Sequence, residues 1–118
     1  MDKASVFREA KGLTAMREKL RELCARYRQV RVEDQSACYN TELLEVIELG
    51  SLLDLAEVLV ESALVRKESR GAHFREDFPK RDDPNWLKHT LAYKCKKGIE
   101  FGYKPVTITK FEPKERKY

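Results

Sequence analysis

Six apolar residues, Leu13, Met16, Leu20, Leu23, Tyr27 and Val30, recur at spacings of 3, 4, 3, 4 and 3. That repeat lines one side of a 3.6-residue helix and predicts an amphipathic helix over residues 10–30. Arg17, Lys19, Arg21, Arg26 and Arg28 fall off the stripe, on its wet side. Two to three heptads are too few for a coiled coil, so the stripe reads as one helix of a bundle. Residues 31–39 break the pattern, and Glu33, Asp34, Gln35 and Ser36 mark a connector. Asn40 or Thr41 then caps a second helix, with Glu42 at its positive end. Residues 43–65 are mostly Leu, Val, Ile and Ala, and the acids Glu42, Glu45, Glu48, Asp54, Glu57 and Glu61 step mainly by three. A step of three falls about 60° short of a turn, so the polar line winds around the helix and leaves no single wet face. This helix is expected to form the core, with Gly50-Ser51 as the place for a kink or break.

Past Arg66 the periodicity stops. Pro79 and Pro84 oppose a helix through residues 68–90, and Gly71 permits a turn there. Residues 86–93 and 99–109 read as two strands of a hairpin with Lys96-Lys97-Gly98 near its turn. The alternation of Val106 and Ile108 with Thr107 and Thr109 supports the later half of the second strand, and the charged end of the chain is expected to be extended.

Composition narrows the class. At 118 residues, 37% charged and 42% hydrophobic, the chain is one soluble domain's worth. No apolar run approaches the roughly 20 residues of a membrane span. Residues 1–8 lack a signal-peptide core, so a cytoplasmic location is expected. Cys24, Cys38 and Cys95 are odd in number and widely spaced, which suits a reducing compartment and packing roles. The net charge of +4 hides three blocks. Residues 1–31 carry nine basic and four acidic side chains (+5), residues 32–65 eight acids and no Lys or Arg (−8), and residues 66–118 fifteen basic and eight acidic groups (+7). Blocks of opposite sign face one another more readily than they present one basic surface to nucleic acid. The lysines and aromatics of the tail therefore read as a solvated hairpin face, with no nucleic-acid partner expected.

Candidate chemistry concentrates in residues 68–90, the joint between the apolar helix and the hairpin. It holds three arginines, five carboxylates, both histidines and the only tryptophan. Arg70, Arg75 and Arg81 with Asp77, Asp82 and Asp83 suit an ion-pair and hydrogen-bond network, because a guanidinium engages carboxylates or carbonyls in a planar fork. Arg70 and Arg81 are expected to be mostly buried, with Asp77, Asp82 or Asp83 as partners. His73, His89 and the cysteines match no zinc spacing, and nothing places a cysteine beside a histidine for nucleophilic work. Glycines occur only at 12, 50, 71, 98 and 102, so there is no dinucleotide or phosphate-cradling fingerprint. No catalytic, cofactor-binding or metal-ligating residue is assigned. The residues expected to act in structure or at an interface are Arg70, Gly71, His73, Arg75, Asp77, Arg81, Asp82, Asp83 and Trp86.

Ser69-Arg70-Gly71-Ala72-His73, Arg75, Asp77-Phe78-Pro79, Arg81-Asp82-Asp83, Asn85-Trp86-Leu87 and His89-Thr90 together resemble the C-terminal domain of succinate dehydrogenase and fumarate reductase flavoprotein subunits. Ser5-Val6-Phe7-Arg8 is similar to that family's turn between two helices, Asn40-Thr41 and residues 49–56 to its central helix, and Arg116-Lys117-Tyr118 to its C-terminus. The resemblance covers nearly the whole chain, which would then be the last part of a much longer subunit. It implies a mainly α fold: an incomplete, spectrin-repeat-like three-helix bundle, an irregular loop and a small C-terminal β-hairpin. It implies one fragment over 1–118, with a helical part (1–67), an Arg/Asp-rich joint (68–90) and a hairpin and tail (91–118). The parent enzyme would interconvert succinate and fumarate through FAD at the cytoplasmic face of the membrane, with electrons passing to an iron–sulfur subunit. The family's catalytic and flavin-linking residues have no counterpart here, so this chain would hold no cofactor. It would support the flavin domain of the same subunit and the contact with the iron–sulfur partner. Of the further helix that completes the bundle only residues 1–5 would remain, so the chain is expected to self-associate. Two alternatives stand beside this: a related flavoprotein, L-aspartate oxidase or adenylylsulfate reductase, and an autonomous helical binding module with a basic tail.

Overall fold

A computed structural model describes residues 4–96 and 98–114. Lys97 of the expected turn, most of the residues 1–5 read as a helix remnant, and the Arg116-Lys117-Tyr118 ending lie outside the described residues. The chain divides into two units, one ending at Arg81 and one beginning at Asp82, so the boundary falls inside the joint.

The first unit is built on two long helices, α1 (Ala10–Tyr27) and α2 (Thr41–Val65). Leu13 and Leu20 of the α1 stripe are buried, and Met16, Leu23 and Tyr27 are half-buried against Leu53, Ala56, Val60 and Leu64 of α2. Val30 lies beyond the end of α1 and is exposed. Asn40 is the N-cap of α2, its side chain accepting from the Leu43 N–H at 2.8 Å. Glu42 reaches back into the connector and accepts from the backbone N–H groups of Glu33 and Asp34.

Gly50-Ser51 does not break α2, which runs as one helix from Thr41 to Val65. The glycine has another cause. The Tyr27 ring lies on it, and a Cβ there would sit 2.4 Å from Tyr27 Oη. That hydroxyl donates to the Val46 carbonyl at 2.9 Å. Glycine lets the two helices close at the far end of α1.

The expectation that α2 forms a core is met along one side only. Val60, Leu53 and Ala63 are buried, while Leu44, Ile47, Leu52 and Leu55 are each more than half exposed. One partner helix cannot wrap a helix that is apolar nearly all round. The segment read as a turn before α1 contains a two-residue strand, β1 (Phe7–Arg8), paired in parallel with β2 (Phe74–Arg75).

The second unit begins with a one-turn helix, α3 (Asp83–Trp86), and continues into an antiparallel hairpin of β3 (Lys88–Cys95) and β4 (Gly98–Pro105). Pro84 initiates this helix rather than preventing it, since a missing N–H costs nothing in the first turn. Trp86 therefore sits on a helix, and the first strand starts two residues later than expected. The second strand ends at Pro105, so Val106 to Thr109 are outside it despite their alternation. A proline offers no N–H to extend a ladder. Among the described residues the fold is thus two long helices and a short one with a small C-terminal hairpin.

Candidate functional site

Arg75 is the centre of the joint's first half and is 1% exposed. An α-helix leaves its last carbonyls without partners and carries a partial negative charge at that end. Arg75 Nη1 donates to three carbonyls at the end of α2, those of Ala63 (2.7 Å), Leu64 (3.3 Å) and Arg66 (3.3 Å). Its other edge grips Asp77 as a fork, Nε to Oδ1 at 2.7 Å and Nη2 to Oδ2 at 2.6 Å. The Phe78 ring lies 5.1 Å from the guanidinium carbon. Asp77 Oδ2 also accepts from the Ala10 N–H at 3.2 Å, the first residue of α1, where Glu9 supplies no side-chain cap. One Arg–Asp pair therefore ties the negative end of α2 to the positive end of α1. The hydrogen bonds from Arg75 hold the Asp77 carboxyl below its ordinary 3.8, with burial opposing them.

Glu68 is fully buried between two more arginines. Arg70 grips it from one side, Nε to Oε1 at 2.8 Å and Nη2 to Oε2 at 3.0 Å, and Arg66 Nη1 donates to Oε1. A buried carboxylate without such partners would cost several kcal/mol, of the order of 3–5 when one partner is removed.

His73 joins the segment before α1 to the end of α2. Its Nδ1 lies 2.7 Å from Arg8 Nη1, and its Nε2 lies 3.3 Å from the Arg66 carbonyl. Arginine only donates, so Nδ1 accepts and Nε2 carries the proton. Burial lowers the His73 pKa from 6.5; the hydrogen bond to Arg66 O opposes this, and the charges of Arg8, Arg75 and Arg66 push further down. The ring is reached through a tight turn in which the Arg70 and His73 backbones exchange hydrogen bonds of 2.8 and 3.1 Å. Gly71 occupies that turn with φ of 59°, a conformation side chains disfavour. Ser69 completes the loop: its hydroxyl donates to Phe78 O at 2.8 Å and accepts from the Arg75 N–H at 2.8 Å.

The remaining expected residues are placed differently. Arg81 is half-buried at the end of the first unit. Asp82 caps α3, accepting from the Asn85 N–H at 3.2 Å and its Nδ2 at 2.9 Å, and Asp83 begins that helix. Trp86 and Tyr103 meet edge to face at 6.0 Å, with the Lys88 ammonium 5.0 Å from the first ring and 4.0 Å from the second. The structure thus joins Arg70, Gly71, His73, Arg75 and Asp77 in one network, while Asp82, Asp83 and Trp86 build the start of the hairpin unit. The most buried arginine is Arg75, and Arg70 grips Glu68. Arg66 and Glu68 were not singled out in sequence, and Arg8 and Ser69 entered only through the family resemblance. A signal was present for two of them: residues 66, 68 and 70 are spaced by two, as are 75 and 77, and alternate residues of extended chain share a side.

The charges described in this network are committed to a helix end, a backbone carbonyl, the His73 ring or an opposite charge. The arrangement holds two helix termini and a returning loop in register. Among the described residues, no group of three or more His, Cys, Asp and Glu is assembled to hold a metal ion. No helix among them is long and apolar enough to cross a membrane.

The comparisons with known proteins agree with this picture. The family model described as fumarate reductase flavoprotein C-term matches residues 1–118. The fumarate reductase flavoprotein subunit of Haemophilus influenzae is 45% identical over 114 residues, covering 96% of this chain and 19% of that protein. The succinate dehydrogenase flavoprotein subunit of Rickettsia bellii is 47% identical over 107 residues, 90% of this chain and 18% of that protein. A solved structure of E. coli quinol fumarate reductase superposes with a TM-score of 0.88 at 43% identity, over 93% of this chain and 19% of that one. The chain spans about a fifth of the length of the relatives it matches. A whole-length family match, shared sequence and shared fold lead to one conclusion: this chain belongs to the fumarate reductase flavoprotein C-terminal family.

Proposed function

We propose that this chain is the supporting helical domain of a succinate–fumarate oxidoreductase flavoprotein. It packs against the flavin domain of the same subunit and contributes to the contact with an iron–sulfur subunit, in a complex at the cytoplasmic face of the membrane. The observation that carries the reading is the open apolar side of α2, where Leu44, Ile47, Leu52 and Leu55 are each more than half exposed. A continuous surface of this kind is a packing surface in a soluble protein. Beside it a groove of about 310 Å³ is lined by Ala4 and Ser5, by Met16 and Leu20 on α1 and by Ala56, Leu59 and Val60 on α2. A further helix laid there completes a three-helix, spectrin-like bundle.

FAD belongs to the flavin domain in this reading. The glycines here do not fit a dinucleotide cradle: Gly50 is covered by Tyr27, Gly71 sits in a short turn and Gly98 begins a strand, neither of them before a helix N-terminus. Turnover is therefore assigned to groups outside this chain.

The test is complementation. A family flavoprotein lacking its own C-terminal domain is expressed with and without this chain, and the flavin band and succinate-driven dye reduction are measured. Co-elution of the two pieces with a gain in retained flavin is the expected result. Failure to associate at micromolar concentration overturns the reading.

A further inference from the structure

Helix α2 carries two apolar seams, and the structure covers one. Val46, Leu53 and Val60 step by seven along the side that meets α1, with Gly50 and Ala56 between them and Leu64 beyond, and all six are buried or half-buried. On the opposite side Leu44, Ile47, Ser51, Leu55 and Val58 step by 3, 4, 4 and 3, the rise of one face of a straight helix. All five are exposed, Leu55 by 66%.

The covered seam shows what kind of partner α2 accepts. Residues 32–65 contain eight acids and no Lys or Arg. The helix that fills the covered side, α1, carries an apolar stripe flanked by Arg17, Lys19, Arg21 and Arg26, and its two acids, Glu18 and Glu22, pair with bases of α1 itself. Arg17 Nε stands 3.9 Å from Glu61 across that contact. The open seam keeps the acidic setting, with Glu48 beside it by helical position. A second copy laid on the seam by a two-fold axis brings acid to acid with no base from α2 to neutralise it.

We infer that the open seam of α2 docks an amphipathic helix whose apolar stripe is flanked by lysine or arginine, a partner of the same chemistry as α1. This rests on the reading of the open side as a packing surface and adds the charge of what covers it. Charge complementarity chooses among partners that bury similar apolar area.

The probes are two synthetic helices of about 18 residues, long enough for the roughly 21 Å from residue 44 to 58 at about 1.5 Å per residue. Both carry one leucine stripe; one is flanked by lysine and the other by glutamate. A third has the lysine composition with the stripe scrambled. Binding to the whole chain is followed by fluorescence anisotropy from low to high salt. The lysine-flanked helix is expected to bind at least tenfold tighter than the other two, and to weaken as salt rises. Leu55→Glu is expected to abolish that binding and Leu55→Ser to reduce it, both at one exposed position that leaves α2 folded by circular dichroism. Glu48→Gln is expected to narrow the gap between the two striped helices. Equal binding of the striped helices, lost in Leu55→Glu, overturns the charge inference and leaves the packing surface standing. Binding that survives Leu55→Glu, or is matched by the scrambled helix, overturns the packing surface as well.

Discussion

At the scale of single residues, the joint is held by side chains that complete other elements' unmet hydrogen bonds. Arg75 is the clearest case, serving the α2 carbonyls and Asp77 together. Arg75→Ala removes the donor those carbonyls share and the counter-charge of the Asp77 carboxylate, and is expected to cost roughly 3–5 kcal/mol. Lys19→Ala removes only an exposed pair with Glu22 and is expected to cost at most about 1 kcal/mol. Urea midpoints of the two variants decide it; similar small shifts would remove Arg75 from its place at the centre. His73 adds a dependence on pH. Its folded pKa is lowered, so the unfolded chain binds a proton more readily. Its contribution is full above the ordinary 6.5 and is lost as pH falls from there through the folded value. Asp77, also lowered, contributes above 3.8 and loses its share further down, as pH falls through its own folded value. Stability measured between pH 7.5 and 5 should therefore decline, and His73→Gln should flatten that decline. An unchanged slope in the variant would assign the pH dependence to other groups.

At the scale of elements, the contact of α1 with α2 is closed at one end by the ring of Tyr27 on Gly50. In an ordinary helix interior, Gly→Ala gains about 1 kcal/mol. Here the added methyl meets Tyr27 Oη at 2.4 Å and Cζ at 2.8 Å, so Gly50→Ala is expected to destabilise instead. With Tyr27→Ala already in place, the same substitution is expected to stabilise by something approaching the ordinary gain. Thermal midpoints of the four proteins in this cycle make the test, and a stabilising Gly50→Ala alone would show that the ring yields freely.

At the scale of the molecule, the isolated chain leaves the open side of α2 in water. It is expected to associate with itself at micromolar concentration, most simply as a two-fold dimer, and not to retain flavin or turn over succinate. The acids beside the seam oppose such self-association, so light scattering should show it growing as salt screens them. A monodisperse monomer at every salt concentration would count against the open side as a sticky surface. Association with a lysine-flanked helix should respond to salt in the opposite direction, which separates the two contacts in one buffer series.

Much of this was written in local order. The α1 stripe, the Asn40 cap, the acidic block and the short-range pairing of residues spaced by two depend on neighbours within a turn of helix or a few residues of extended chain. Those relations survive in a linear reading, and the ordered run from Ser69 to Thr90 carried the family resemblance as well. What sequence alone did not decide were the partners brought from far away. The Arg8 contact with His73 and the Asp77 contact with Ala10 span 65 and 67 residues. Nothing local distinguishes Arg75, buried beneath α2, from Arg81 nearby. Gly50 looked like a break because its helix cost is local, whereas its reason, the Tyr27 ring, arrives from another helix. Val106 to Thr109 looked like strand because alternation is local, whereas pairing stops at Pro105. Periodicity states which residues can share a side; only the tertiary structure states which side is covered, and by what charge.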